Sequence, residues 1–499
     1  MNKPANLESI SPGNPTTERQ DIEAIERAVR VPVLIFLVSA VFWLLVGSCL
    51  GLLASTQCHR PGSLVVLSDL PWLTFGRVFP AFQIAFVYGW LSSAGIGVAI
   101  WMLSRLCHTA YPTVYLPVLS AVTWNTGVGV GILSILITGG NGRELLDFPF
   151  HTAFILLLAF LFFGIWAVLV IWNRAPISVY ISEWYIFAGL LCFAWSFSTA
   201  NILLNLPLSP IGPAPGVSQG AIHAWFVKGL FSLWLAPLAL AVAYYIIPKF
   251  VGKPIYSYKL ALLGFWGWIA CAAFGGMAAF IGGPFPAWMV TIGIVANVLA
   301  LIPVLAMAAN FHMTTRAAPG SVESSLVFRF VTLGAMIFTF YGFEAAANSL
   351  RTIAQFTQFT LVVLGQSHLF LYGFCSLIFF GAIYYLLPRL LSRPIIFAGI
   401  ANFHFWMSIV GLTMLWFVLT IGGVIQGFGL EDAKVSMDSI SDLLMPFLML
   451  QSVAALIIFV ANVTFAIGVA LIFLLPGRVR SHSRVPETSM QRTPEVTVA

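Results

Sequence analysis

Long apolar stretches alternate with short polar loops along nearly the whole chain. A helix that crosses a bilayer needs about 20 apolar residues. Twelve stretches reach that length, at roughly 31–55, 81–104, 114–138, 150–173, 180–203, 222–248, 260–283, 286–310, 328–347, 360–388, 396–426 and 445–475. The pattern predicts an all-α polytopic membrane protein in three parts. Residues 1–30 form a polar N-terminal segment, 31–475 a twelve-helix membrane domain, and 476–499 a polar tail with the composition of a disordered segment. "EAIERAVR", just before the first span, reads as a short helix at the interface. The chain shows no internal repeat and no soluble domain.

Composition agrees with this picture. Only 8% of the residues are charged, against about 25% in ordinary soluble domains. The 43 Phe, 16 Trp and 13 Tyr suit lipid-facing and interfacial positions, so the first partner is the lipid bilayer. The net charge of +6 is spread over loops and tails, which points to topology and away from nucleic acid. Arg105, Arg174, Lys249, Lys253, Lys259, Arg316, Arg329, Arg389 and Arg393 fall in the even-numbered loops. Most loop acids, including Glu431, Asp432, Asp438 and Asp442, fall in the odd-numbered ones. Positive charge marks the cytoplasmic side, so both termini are expected there. The six cysteines are scattered, and none has CxxC or CxxCH spacing. Walker A and Rossmann glycine patterns are absent, and the polar first thirty residues do not read as a cleavable signal peptide.

Ionisable side chains inside spans are the candidate chemistry, because each needs a partner at that depth. Lys228, in the sixth span, either snorkels to the outer interface or faces a carboxylate within the bundle. Glu344, in "YGFEAAANSL", either sits at the membrane surface or is that carboxylate. His223 and His404 lie near predicted interfaces, where water and headgroups can satisfy them. His368, in "VLGQSHLFLYGF", is deeper. It is either a neutral histidine bonded to a neighbouring helix or an axial heme ligand.

Several segments, in order, carry a resemblance. They are "WLTFGRVFP" with "FVYGWLSSAGIG", "WNTGVGVGILSILITGGNGRELLDFP", "YYIIPKFVGKPIYSYKLALLGFW", "YGFEAAANS", "FFGAIYYLLPRL" and "HFWMSIVGLTMLWFVLTIGGVIQGF". Together they resemble subunit I of the heme–copper oxidases, in particular its C-type (cbb-type) branch, over about residues 70–430. The resemblance implies a twelve-helix bundle in a bacterial-type inner (plasma) membrane. It also implies partner cytochromes or other redox membrane subunits.

The resemblance assigns ligand positions, and most are substituted. The family's tenth span reads His-x-His, one imidazole for the high-spin heme and one for the low-spin heme. Here Gln366 holds the first place and His368 the second. The second low-spin ligand falls near Phe82. The three copper ligands fall on Lys228, Ala278 and Ala279, and the family's linked tyrosine falls near Ala272. Glu344 is kept. The resemblance therefore implies no copper, at most one b-type heme on His368, and a lysine charge standing where a metal ion would be, paired with Glu344. Three functions follow: an oxidase-derived membrane subunit that cannot reduce oxygen by the family mechanism, an electron-transfer subunit carrying a single b-type heme, or a transporter or proton channel on the same bundle.

Overall fold

The computed structural model describes residues 15–60, 70–109, 114–176, 178–205, 213–323, 325–393 and 398–474. Twelve of its helices are long and apolar enough to cross a membrane. They are α1 (Ile22–His59), α2 (Phe75–Leu106), α3 (Tyr115–Thr138), α4 (Phe150–Trp172), α5 (Ile181–Asn205), α6 (Val217–Val251), α7 (Tyr258–Phe280), α8 (Ala287–Thr315), α9 (Leu326–Ser349), α10 (Leu361–Leu391), α11 (Ala398–Glu431) and α12 (Met437–Leu474). All twelve expected spans are present. The interfacial helix expected before the first span is continuous with it, since helix runs unbroken from Pro15 to His59. Residues 1–14 and the tail 476–499 lie outside the described residues.

Three helices form the centre. The most apolar windows of α2, α6 and α10 are 100%, 94% and 89% buried, while no other span exceeds 50%. These helices are not the most apolar spans: their mean hydropathies of 1.6, 2.0 and 1.9 fall below the 3.0 of α4, because lipid accepts apolar side chains whereas polar groups on a span need protein partners. The other spans keep a lipid-facing stripe. Around the periphery α3 packs on α4, α7 on α8 and α11 on α12, and α12 returns against α1 to close the ring.

The three central helices are equivalent, a relation not read from the sequence. They lie four spans apart, and each contains a π-helical segment at the same level: Ala85–Ser92, Leu230–Leu235 and Leu369–Ser376. One turn of wider helix rotates the side chains that follow and is common at functional sites. Beyond it α6 continues as Tyr244-Tyr245-Ile246-Ile247-Pro248-Lys249 and α10 as Tyr384-Tyr385-Leu386-Leu387-Pro388-Arg389. On α2 only the spacing survives, as Trp101 and Arg105, so the sequence repeat joins α6 and α10 alone and corrects the expectation of no internal repeat. The π-helical segments are tied by two bonds of one kind. Trp90 Nε1 donates to Ser376 Oγ at 2.9 Å, and Trp234 Nε1 donates to Ser92 Oγ at 3.0 Å. Close approach at the centre depends on Gly95, where a β-carbon would sit 2.7 Å from Leu238 Cδ1 and 3.3 Å from Phe379.

Candidate functional site

A cavity of about 220 Å³ opens between α1, α2, α10, α11 and α12, and His368 lines it. Gln366 does not, because residues two apart on a helix point to different sides. His368 Nδ1 lies 2.8 Å from the carbonyl of Leu364. A carbonyl only accepts, so the proton sits on Nδ1 and Nε2 keeps its lone pair. Metal-binding imidazoles are held in the same way by a bond at the other nitrogen.

The opposite wall is Phe82. Its ring stacks on His368 with centroids 6.4 Å apart and planes 14° from parallel. Gly51 on α1 makes room, since a β-carbon there would sit 3.0 Å from the Phe82 ring. One edge of the cavity is polar: Tyr372 donates to Asn462 Oδ1 at 2.9 Å, and Asn462 donates to Ser48 Oγ at 2.8 Å. Gln451 also lines the cavity, and its buried Oε1 has no hydrogen-bond partner. The donor set offers one imidazole nitrogen and an orphaned amide oxygen. It fits a largely apolar group held by one imidazole, not one held by two histidines.

Of the three positions assigned to copper, Lys228 packs against the turn that carries Ala278 and Ala279. The last turn of α7 tightens to a 3-10 helix over Gly275–Phe280 and packs against α6. Lys228 runs along it: a β-carbon built on Gly275 would meet Lys228 Cε at 3.2 Å, and one on Gly276 would meet Lys228 Cβ at 3.1 Å. Two glycines thus give the lysine stem its groove. Ala278 is buried beside them, whereas Ala279 is exposed and its carbonyl accepts from Gln358 Nε2. Methyl groups and an ammonium offer copper no imidazole, so the residues present do not fit it. Among the described residues no three His, Cys, Asp or Glu side chains converge as a metal site.

Between α6, α7, α9 and α10 the interior is a column of rings. Phe231 stacks on Phe370 at 5.5 Å, Tyr341 packs on Phe370 at 4.8 Å, and Phe338 bridges Phe374 at 4.5 Å and Trp268 at 5.0 Å. Sequence reasoning missed this column. Its members come from four separated segments, and only the fold brings them together.

Other placements differ from expectation. Lys228 and Glu344 do not form an ion pair. The lysine ammonium lies 6.0 Å over the Tyr341 ring, and the Glu344 carboxylate accepts from Trp416 Nε1 at 3.3 Å to each oxygen. The indole donor on α11 and the ring face on α9 satisfy the two charges separately. His404 does not reach water or headgroups. It is fully buried, with Nδ1 3.1 Å from the Tyr384 hydroxyl and Nε2 without a partner. His223 does lie near a helix end, where Nε2 donates to the carbonyl of Glu144 at 2.8 Å.

The model of the family described as cytochrome C and quinol oxidase polypeptide I matches residues 31–457. The chain is 24% identical over 404 residues to the Cbb3-type cytochrome c oxidase subunit CcoN1 of Stutzerimonas stutzeri, spanning 79% of this chain and 82% of that one. It is 23% identical over 402 residues to a cytochrome c oxidase subunit 1 homolog of Azorhizobium caulinodans, spanning 79% and 72%. A heme–copper terminal oxidase dimer solved by cryo-EM matches 92% of this chain and 85% of its own, with a TM-score of 0.63 and 16% identity. At that identity the structural likeness concerns the fold.

Proposed function

The chain belongs to the cytochrome C and quinol oxidase polypeptide I family, and from that premise we propose that it is an integral membrane subunit of a redox complex that does not reduce oxygen by the family's mechanism. One observation carries the reading. Lys228, Ala278 and Ala279 lie on two packed segments beside the ring column, where the resemblance calls for three imidazoles. Copper binding needs such nitrogen ligands. Gln366, in the place of the high-spin heme ligand, points the same way.

The cavity at His368 supports retention of one b-type heme. His368 would hold it through Nε2, and the group would supply one-electron transfer. The Leu364 carbonyl orients the imidazole. Phe82 and the apolar walls keep water from the ring. In this reading the subunit sits in a bacterial inner membrane with both termini cytoplasmic, and passes electrons among cytochromes or other redox membrane subunits.

Reduced-minus-oxidised spectra of the purified full chain, with His368→Ala alongside, test the proposal. A b-type signal lost in the variant is expected. Oxygen uptake that survives purification and vanishes with chelation of copper contradicts it.

A further inference from the structure

We propose that the ends of the three central helices form a binding site for a phosphoryl group, on the face where α1 begins and α12 ends. Arg105 closes α2, Lys249 closes α6 and Arg389 closes α10. Arg105 and Arg389 both lie near enough to act on the Lys249 charge. The floor between them is aromatic. Trp101 packs edge-on against Tyr245 at 5.4 Å and Tyr385 at 5.9 Å, and Lys249 Nζ lies 5.3 Å and 5.9 Å above the same two tyrosine rings.

Donors outnumber acceptors here. Arg389 is engaged, pairing with Glu26 at 2.6 Å and reaching the Tyr385 hydroxyl at 3.4 Å. Among the described residues neither Arg105 nor Lys249 has a carboxylate within ion-pair distance. Arg105 Nη1 is shielded from solvent without a hydrogen-bond partner, and so is Trp101 Nε1 one turn before it. The Tyr245 hydroxyl accepts from Lys249 and the Tyr385 hydroxyl from Arg389, which leaves both phenolic protons to give. A charge bias between the two faces of a bundle accounts for cations at helix ends. It does not account for a guanidinium nitrogen buried without an acceptor, which is unfavourable. A phosphoryl group supplies several acceptor oxygens and negative charge together. Basic pockets between helix ends at this level suit anionic headgroups.

The group can come from an anionic phospholipid or from free phosphate, and one experiment separates them. The full chain is placed in nanodiscs of phosphatidylcholine with phosphatidylglycerol, and retained lipid is read by native mass spectrometry. In parallel, inorganic phosphate is titrated against chloride in phosphatidylcholine nanodiscs, with tryptophan fluorescence as the readout. The wild-type preference for the anion should fall about fivefold with Arg105→Gln or Lys249→Gln, and about thirtyfold with both. Arg105→Lys with Lys249→Arg should keep it, and Arg329→Gln should leave it unchanged. Loss in the lipid arm identifies a headgroup site, and loss confined to the phosphate arm identifies a free-phosphate site. Equal anion binding by wild type and the double Gln variant in both arms overturns the proposal, as does equal loss in the charge-keeping variant. Should the double Gln variant fail to fold, the two single variants carry the same test.

Discussion

His368 and Phe82 face each other across the cavity, their centroids 6.4 Å apart and their planes 14° from parallel. One wall offers a nitrogen lone pair and the other offers only a hydrocarbon ring. Phe82→His should therefore supply a second axial ligand, because the imidazole enters the space that Gly51 leaves on α1. The expected result is a bis-histidine low-spin signal by electron paramagnetic resonance, absent from the wild type. An unchanged spectrum in the variant would show that Phe82 does not occupy the second axial place.

Lys228 and Glu344 are satisfied by different partners, Tyr341 and Trp416. Groups that share no partner act independently. Lys228→Met and Glu344→Gln should thus add in the double variant to within about 0.5 kcal/mol. Thermal unfolding in detergent measures this. A double variant more stable than that sum would restore the pair.

The Trp234–Ser92 bond lies in the interior where α2 meets α6. Ser92→Ala leaves the indole N–H buried with no acceptor, and should destabilise by about 1–3 kcal/mol. Ser92→Ala combined with Trp234→Phe removes both partners and should recover part of that loss. Equal stability of the single and double variants would mean that the bond contributes little.

Asp147 lies in the loop between α3 and α4, 5% exposed, where Gly142 N–H donates to it at 2.9 Å. Burial raises its carboxyl above the usual 3.8, partly offset by bonds from the Gly142 and Arg143 amides. A raised value means that the folded state holds the proton more tightly than the unfolded chain. The contribution to stability is therefore fully present below about pH 3.9 and is lost as pH rises through the higher folded value. Asp147→Asn should flatten that part of the stability profile. A wild-type profile in which stability instead rises over the same range would contradict this assignment.

Span number and order were legible in the sequence, because bilayer thickness imposes a length that composition alone reveals. His368 and Phe82 were legible as a pair only through the resemblance, and the structure sets them face to face. Lys228 was read as half of an ion pair because both charges were known and the neutral partners were not. Tyr341 and Trp416 look like ordinary aromatics until the packing of α9 and α11 aims them. The repeat between α6 and α10 stands in the sequence as Tyr-Tyr-x-x-Pro before a basic residue, but the membership of α2 lies in position, with Trp101 standing for Tyr245 and Tyr385. The place of His404 early in α11 suggests contact with water or headgroups. That helix starts at Ala398, and Tyr384 from α10 covers the ring.

Copper and iron content of the purified full chain tests the loss of the oxygen site most directly. Three positions without an imidazole and one histidine beside a cavity predict no copper and about one heme iron per chain. About one copper per chain, or two heme irons, would contradict the account.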